Sequence, residues 1–388
     1  MEAHDVVVVG LGAMGSAALR ELSRRHVDVL GIDEHSPPHP FGSTHGESRI
    51  TRLATGEGQA YVPLAMRSQQ LWRELEVETG RTLLTCNGCL VLGREGAGFG
   101  IHGRHFLEDT ITAARTFAIE HELLDAAQLT ERFPQLALVG DERGYLEPSG
   151  GFARPEACVD AMLTVAVRDG AEVRRNERVE QVTLGGGGAV VRTAHGDIAA
   201  NQVVVSAGAA VADLVGPEIG NHVSVHRQTM HWFATSPPHD MLSPERLPVF
   251  IWELSEKRFF YGFPEIDGPG SGLKVASERD DPVHNLRDVE RDVGMHESMD
   301  LFDDLVGPRI PQLERRRLRA VTCLYTAASD FDFIIDRHPR GESVWLVSPC
   351  SGHGFKHSAA IGEAVAQLVT TGSSDVDLAP FALSRFGR

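Results

Sequence analysis

Long hydrophobic runs, excess positive charge and cysteine are all scarce in this chain of 388 residues. No apolar run approaches the roughly 18–20 residues needed to span a bilayer, so we expect no membrane segment. Asp and Glu outnumber Lys and Arg by 54 to 37, giving a net charge of −17, which disfavours nucleic acid as a partner. Five cysteines without a signal segment favour reduced thiols and a cytoplasmic protein.

The N-terminal segment has the pattern of a βαβ unit. Residues 6–9 are four consecutive valines, which is typical of a buried parallel strand. Residues 13–25 carry apolar side chains at helical spacing, and residues 27–32 form a second apolar run that ends at Asp33. The length of the unit is the usual one for such a motif.

A G-x-G-x-x-G motif joins the first strand to this helix. Gly10 allows a tight turn, Gly12 lets the backbone approach a pyrophosphate, and Gly15 permits close packing of helix on strand. Asp33, 23 residues after Gly10, is placed to bind ribose hydroxyls and disfavours a 2′-phosphate. The pattern predicts a dinucleotide, without deciding between NAD and FAD; glycine-rich turns also have purely structural uses.

The rest of the chain alternates between α/β and strand-rich stretches. Residues 36–48 are predicted to form a long loop, and residues 185–188 a hairpin tip. Residues 223–318 change to strands with longer loops, whereas the final segment returns to α/β. Further helices are predicted at 61–78, 110–120, 126–133, 155–168 and 359–370. The length and 42% hydrophobic content allow two domains with large cores, perhaps interleaved in sequence.

Motifs spread along the whole chain resemble the monomeric sarcosine oxidase and N-methyltryptophan oxidase family. They occur in order at 42–52 (GSTHGESRITR), 56–64 (GEGQAYVPL), 261–264 (YGFP), 272–274 (GLK), 322–326 (TCLYT), 332–336 (DFIID) and 351–356 (SGHGFK). The segment 377–386 (DLAPFALSRF) is similar to the N-methyltryptophan oxidase branch in particular.

The resemblance implies a fold and an activity. It implies an α/β protein with a Rossmann-like FAD domain (1–85, 150–215 and 320–388) and an interleaved substrate domain on a mixed sheet (86–149 and 216–319). It implies oxidation of a secondary amino acid by O₂ to an imine and H₂O₂, after which the imine hydrolyses. It also implies FAD bonded through its 8α-methyl group to a cysteine, and we expect a monomer.

Cys323 occupies the position of that covalent linkage in the family. A thiolate is required there, and Arg49 or Arg319 is available to supply a nearby cation. Taken alone, a cysteine between Thr and Leu is more often a small buried hydrophobic residue. The resemblance extends cofactor contacts to Gly10, Gly12, Gly15, Asp33, Ser43, Ser48, Arg49, Val179, Gly208, Gly352, Gly354 and Lys356. Ser48 replaces a more usual Thr and keeps the hydroxyl.

Two cations match positions that bind the substrate carboxylate in the family. Arg52 offers a planar fork and Lys356 a compact charge, although surface charge is the ordinary role of either residue type. Tyr261 and Tyr325 match aromatic positions near the substrate, or are packing residues. Glu278 stands where the sarcosine oxidase branch has a His. Its carboxylate favours a cationic or hydrogen-bond-donating substrate, or else faces solvent.

Three further residues match catalytic positions beside the flavin. Lys274 corresponds to the lysine that activates O₂, because an ammonium stabilises superoxide charge; in a strand it is equally able to extend outward. Arg49 and His45 match residues that lie beside the flavin ring in the family, where a cation favours electron acceptance. His45 is also consistent with a loop hydrogen-bonding group.

Other interpretations of the sequence remain open. Cys86 and Cys89 form C-x₂-C without a second ligand pair, so we expect strand or turn residues and no metal. A dehydrogenase of the same fold would pass electrons to a carrier protein. A protein of another class would bind the dinucleotide without catalysis.

Overall fold

The structure is a computed structural model that describes residues 1–94, 101, 104–185, 187–255 and 258–387. Its strands are β1 (Glu2–Val9), β2 (Val29–Asp33), β3 (Arg49–Thr51), β4 (Leu84–Thr85), β5 (Cys89–Arg94), β6 (Glu122–Leu124), β7 (Glu142–Glu147), β8 (Gly151–Ala153), β9 (Glu172–Arg175), β10 (Val179–Gly185), β11 (Gly188–Thr193), β12 (Gly196–Val205), β13 (Val223–Thr235), β14 (Val249–Ser255), β15 (Arg258–Phe263), β16 (Leu273–Ala276), β17 (Leu313–Ala328), β18 (Ile334–Arg337) and β19 (Val344–Ser348). Its α-helices are α1 (Ala13–Arg24), α2 (Val62–Thr79), α3 (Phe106–Thr116), α4 (Ala126–Arg132), α5 (Pro155–Arg168), α6 (Val211–Val215), α7 (Pro217–Gly220), α8 (Met295–Leu301) and α9 (Ser358–Thr371).

The predicted βαβ unit is present at the N-terminus. β1 pairs in parallel with β2 on one side and with β12 on the other. The valines of residues 6–9 are at most 3% exposed, because helices and neighbouring strands cover both faces of the sheet. Helix α1 follows directly from Gly12, its N-cap residue, and packs against α5 and α9. The Gly turn therefore lies at the carboxyl end of β1.

The first sheet is α/β in character. Its strands run in the order β10-β11-β12-β1-β2-β9, and β19 pairs with both β12 and β18. The pairs of β12 with β19 and of β2 with β9 are parallel, whereas the β10–β11 hairpin is antiparallel. Of the predicted hairpin tip, Gly186 lies outside the described residues. The predicted Rossmann-like α/β fold is confirmed.

The second large sheet is mixed. Its order is β17-β13-β16-β15-β14-β5-β7-β6. β14 and β5 pair in parallel, while β13 pairs antiparallel with β16 and β17. A small sheet, β3-β8-β4, contains the strand that begins at Arg49. Two residues distant in sequence, Arg49 and Cys323, thereby come from different sheets.

Two regions depart from expectation: the helix predicted at 110–120 and the strand-rich stretch 223–318. The helix predicted at 110–120 is α3, which begins four residues earlier with Glu108 and Asp109 in its first turn, where a helix dipole favours acids. α8 and a π-helical turn (Phe302–Val306) lie in a stretch predicted to be strands and loops. Across the described ranges, no helix is both long and apolar enough to cross a membrane.

Candidate active site

A continuous cleft of about 1160 Å³ runs between the two large sheets. One end is lined by the Gly10 turn and Asp33, and the other by Arg52, Lys356 and aromatic residues of the second sheet. This volume exceeds the ~300–1000 Å³ typical of pockets for a single small ligand. The cleft therefore has room for a dinucleotide together with a substrate.

The Gly turn has the backbone geometry that the motif predicts. Gly10 has a φ of +84°, and a Cβ on it would lie 2.7 Å from the Ser206 carbonyl oxygen. A Cβ on Gly15 would lie 1.8 Å from the Gly10 oxygen, so only glycine permits this approach of helix to turn. These contacts leave the N-terminus of α1 facing the cleft, where a phosphate is favoured.

Asp33 is buried at the end of β2 and its carboxylate is already hydrogen-bonded. Its Oδ2 accepts from Leu11 N at 2.7 Å and its Oδ1 from His35 N at 2.8 Å. Burial raises the pKa of Asp33, but bonds from His39 and from these backbone N–H groups lower it overall. Asp33 therefore stays ionised and lines the cleft.

Most other predicted cofactor residues also line this cleft. Ser43, Ser48, Arg49, Val179, Gly208, Gly352, Gly354 and Lys356 do so, as do Gly10 and Gly12. A Cβ on Gly354 would lie 1.7 Å from the Pro349 oxygen, so the turn after β19 needs glycine there. Gly15, His45 and Cys323 are not among the lining residues that the structure describes, but each contacts or directly follows one that is.

Cys323 is buried on β17 beside the cation of Arg49. Arg49 Nη2 lies 3.7 Å from Cys323 Sγ, and Sγ lies 3.7 Å from the Ser43 carbonyl oxygen. Desolvation raises the pKa of the Cys323 thiol, and the charges of Arg49 and Lys274 partly oppose that rise. Arg319, the other cation considered from the sequence, instead pairs with Glu47 at 2.6 Å and lies 3.9 Å from the Trp232 ring centroid.

Lys274 is 1% exposed and points inward from β16. Its Nζ donates to the carbonyl oxygens of Gly46 at 2.7 Å and Ser48 at 2.8 Å, and to Ser48 Oγ at 3.1 Å. The alternative, an outward-extending strand lysine, is therefore wrong. Burial and the Arg49 charge hold the pKa of Lys274 well below its usual value. The ammonium also lies 4.5 Å from the Phe263 ring centroid.

His45 is buried beside these cations. Its Nε2 atom has no hydrogen-bond partner within the described ranges. Desolvation and then the charges of Arg49 and Lys274 lower the pKa of His45 to about 3. The imidazole is therefore neutral at physiological pH.

Arg52 and Lys356 converge on one carboxylate, that of Glu57. Arg52 Nη2 lies 2.7 Å from Glu57 Oε2, and Lys356 Nζ lies 3.0 Å from Glu57 Oε1. Both cations are nearly fully buried, so neither is the surface charge that the sequence left open. Burial lowers the pKa of Lys356 to about 8, although the charge of Glu57 opposes that shift. The three groups together carry a net positive charge, which suits a second carboxylate.

The loops around this pair explain its position. The backbone N–H groups of Leu53 and Ala54 donate to the buried carboxylate of Glu147, which fixes the chain just after Arg52. Lys356 lies in the 3₁₀ turn Phe355–His357, immediately before α9, and donates to the His353 oxygen at 2.9 Å.

Tyr261, Tyr325 and Glu278 form a polar group on the same cavity wall. The two phenol oxygens are 3.2 Å apart, and burial raises the pKa of Tyr261 to about 12. The carboxylate of Glu278 is half-buried and faces the Gly352 turn: a Cβ on Gly352 would lie 2.6 Å from Glu278 Oε1. Both tyrosines and Glu278 line the cleft, so none of the three is solely a packing or solvent-facing residue.

Several lining residues were not identified from the sequence. Glu57 lies within the quoted motif at 56–64, where an acid five residues after Arg52 was the available signal. Cys350 lines the cleft, with its Sγ 3.8 Å from Ser43 Oγ. Apolar side chains cover the rest of the chamber: Ile50, Ile101, Phe106, Ile251, Phe259 and Phe263. No sequence motif marks these six, because their positions depend on strand register.

Cys86 and Cys89 play no part in the cleft. Cys89 is buried on β5, where desolvation raises the pKa of its thiol to about 12. Cys86 is exposed, with its Sγ 3.1 Å from Arg73 Nη2. The pair is therefore a strand and a turn residue, as the sequence indicated.

The βαβ unit, its Gly turn and the long cleft define a protein of the dinucleotide-binding class. A family model described as "DAO: FAD dependent oxidoreductase" matches residues 5–368. The chain therefore belongs to this family of FAD-dependent oxidoreductases, and the expected cofactor, FAD, follows from that membership.

Individual relatives agree with this assignment. The chain is 39% identical to a monomeric sarcosine oxidase of Streptomyces avermitilis, over 96% of this chain and 94% of that protein. It is 31% identical to an N-methyl-L-tryptophan oxidase of Yersinia pestis, over 99% of each. The solved structure of a Tyr258Phe mutant of NikD, "an unusual amino acid oxidase", has a TM-score of 0.84 at 23% identity, covering 98% of this chain and 97% of that one. This last likeness concerns the fold alone.

Proposed function

We propose that the chain is an oxidase of N-methyl or other secondary amino acids. It oxidises the C–N bond to an imine, which water then hydrolyses, and reduces O₂ to H₂O₂. The reaction balances because the amine loses two electrons and two protons and O₂ gains the same. FAD, when bound, supplies the two-electron acceptor that links the two halves.

The observation that carries the proposal is the pair of buried cations at one end of the cleft, in a chamber that combines apolar side chains with the polar group of Tyr261, Tyr325 and Glu278. Arg52 and Lys356 already contact the two oxygens of one carboxylate, Glu57, which demonstrates a geometry suited to this group. An amino acid bound there by its carboxylate directs its amine toward the wall formed by Tyr261 and Tyr325. Apolar side chains exclude water around it, which strengthens each charge interaction.

No side chain in this chamber need act as a strong base. Tyr261 has a pKa of about 12, and the raised pKa of Tyr325 also keeps its phenol protonated. The substrate therefore reacts as the neutral amine, whose lone pair assists loss of a hydride equivalent. The phenols orient that amine by hydrogen bonding. Either C–H bond beside nitrogen satisfies this scheme.

Two cations in the wall serve the electron-transfer steps. Arg49 lies beside Cys323 and Ser43, where its charge favours electron acceptance by a flavin. Three oxygen acceptors around Lys274 Nζ favour its ammonium form against the lowering of its pKa, and that ammonium stabilises the negative charge that develops as O₂ is reduced. His45 is neutral at physiological pH, so it adds no third positive charge beside Arg49 and Lys274.

Several finer properties belong to the same proposal. Cys323 is the residue bonded to FAD, and the FAD domain comprises 1–85, 150–215 and 320–388, with the substrate domain formed by 86–149 and 216–319. β17 crosses the boundary at 320 and belongs to the second sheet, so Cys323 reaches the cofactor from that sheet. The chain acts as a monomer in the cytoplasm, with the amino acid and O₂ as its partners.

A substrate screen with peroxide detection tests this function. Sarcosine, N-methyl aromatic amino acids, proline and pipecolate are offered to the purified yellow protein in the presence of O₂. Stoichiometric peroxide and imine-derived product from at least one of them support the proposal. Turnover only with an artificial electron acceptor would instead identify a dehydrogenase, and no turnover with any acceptor would favour a non-catalytic flavoprotein.

A further inference from the structure

One segment over the middle of the cleft is not explained by the groups discussed so far. Residues 282–291, here called the strap, run between β16 and α8 and line the cleft along most of their length. The backbone of the strap is fastened at both ends. Val283 N donates to the Val225 oxygen at 2.7 Å, and Arg227 Nε donates to the Glu290 oxygen at 2.8 Å.

The last residue of the strap, Arg291, is fixed next to Cys323. Thr322 Oγ1 donates to the Arg291 carbonyl oxygen at 2.9 Å, so the backbone of Arg291 lies against the residue that precedes Cys323. The guanidinium lies 5.9 Å from the ring centroid of Phe41, another lining residue, in the loop at 36–48. Arg291 thus crosses the cleft between β17 and the loop at 36–48.

The guanidinium of Arg291, a residue that lines the cleft, has a buried donor without an acceptor in the described part of the chain. Its Nη1 atom is fully buried and has no hydrogen-bond partner among the residues that the structure describes. Desolvation is also the main influence on its pKa, which lies below the ordinary value. An arginine remains charged under such conditions, so the site has a cation without an anion.

The position of Arg291 indicates which anion would pair with its guanidinium. Asp33 marks one end of the cofactor region, and His39 lies 3.5 Å from it. His39 contacts Phe41, with ring centroids 5.8 Å apart, and Phe41 contacts Arg291. Cys323 marks the flavin end. Arg291 therefore lies between the two ends of a dinucleotide, and the chemical group between those ends is the diphosphate.

We propose that Arg291 is a cofactor-anchoring residue whose guanidinium binds the diphosphate of FAD from the strap, opposite the Gly10 turn. The Gly turn supplies backbone N–H groups and a helix N-terminus, and Arg291 supplies the full positive charge that this turn lacks. This inference rests on FAD binding and on the proposed placement of the flavin at Cys323, and it is independent of the amine that the enzyme oxidises.

Flavin titrations test this anchor in a Cys323→Ser background, where no bond to that cysteine contributes. Full-length protein is prepared without flavin by growth under riboflavin limitation, and FAD or riboflavin is added while flavin fluorescence is followed. Riboflavin has the ring and ribityl chain but no phosphate. Arg291→Gln is expected to weaken FAD by about tenfold or more, leave riboflavin unchanged, and reduce the salt dependence of FAD binding. Arg291→Lys recovers part of the loss.

Arg287→Gln is the matched control, because it removes an exposed charge from the same strap. Equal weakening by Arg287→Gln and Arg291→Gln would overturn the anchor in favour of long-range attraction. Unchanged FAD affinity in Arg291→Gln, or an equal loss for riboflavin, would also overturn it. Each outcome is readable whether or not any amino acid is a substrate.

Discussion

Arg49 Nη2 lies 3.7 Å from Cys323 Sγ, although 274 residues separate the two along the chain. Arg49 begins β3 of the small sheet, whereas Cys323 is on β17 of the second sheet. Their contact joins the small sheet to the second large sheet beside the cleft. It also places a cation beside the buried thiol, and that charge opposes the rise that desolvation causes in the pKa of Cys323.

We predict that FAD is bonded to Cys323 and not to the neighbouring thiol of Cys350. Acid precipitation of the wild-type protein should leave a yellow pellet, and Cys323→Ser should release the flavin to the supernatant. Cys350→Ser is the matched control, since the Cys350 Sγ lies 3.8 Å from Ser43 Oγ but forms no hydrogen bond with Arg49 among the residues that the structure describes. A pellet that stays yellow in Cys323→Ser, or turns colourless only in Cys350→Ser, would refute the assignment.

Lys274→Met should slow reoxidation of the reduced enzyme by O₂ by about 100-fold, because the charge that stabilises superoxide is removed. Stopped-flow mixing with oxygenated buffer measures this step. Anaerobic reduction by substrate should change much less, which separates the oxygen step from general damage to the fold. Arg319→Met serves as control: Lys274 and Arg319 both lie over the Trp232 ring, at 5.4 and 3.9 Å from its centroid, but Arg319 is paired with Glu47. Equal reoxidation rates in wild type and Lys274→Met would remove Lys274 from the mechanism.

Binding of a carboxylate should weaken as pH rises through about 8. The pKa of Lys356 is lowered to about 8, so its ammonium is charged below that pH and loses its proton above it. Cyclopentanecarboxylate, the carbon analogue of proline, isolates this effect because it has no titrating amine. Its inhibition constant should increase about tenfold between pH 7 and 9.5. In Lys356→Met it should be high throughout, and a wild-type constant independent of pH would contradict the assignment.

Glu278 should favour substrates with a second positive charge. Its carboxylate faces the Gly352 turn beside Tyr325, and a cation there gains a charge-assisted hydrogen bond. We expect kcat/KM for N-methylornithine to exceed that for N-methylnorvaline, and Glu278→Gln to reduce the ratio about tenfold. Glu278→His, which introduces the residue of the sarcosine oxidase branch, should shift activity toward sarcosine. A ratio unaffected by either variant would show that Glu278 does not contact the substrate.

The sequence predicted those parts of the fold that depend on local patterns. The valines before Gly10, the helix after Gly12 and the acid at Asp33 form a unit whose spacing alone specifies a βαβ motif. The strand β17 was harder to recognise, because its first half reads Leu-Glu-Arg-Arg-Arg-Leu-Arg and lacks an apolar face. Long-range pairing with β13 over twelve registered residue pairs, not local propensity, stabilises that strand.

The candidate site was predicted only in part for a related reason. Arg52, Lys274 and Lys356 stand in recognisable motifs, but the sequence left each of them open to an ordinary surface role. Their burial depends on partners far away in sequence, such as the Gly46 oxygen for Lys274. Glu57 was missed because a motif does not reveal which carboxylate lies between two cations. Arg291 was missed because no motif surrounds it at all.

The most direct test of the proposed function is anaerobic mixing of the purified protein with secondary amino acids while the visible flavin absorbance is recorded. The account predicts that sarcosine, proline or an N-methyl amino acid bleaches the absorbance. It also predicts that the corresponding amine without a carboxylate does so at least about tenfold less efficiently, and that Arg52→Met removes this difference. Failure of every secondary amino acid to bleach the flavin, or equal bleaching by amines that lack the carboxylate, would contradict it.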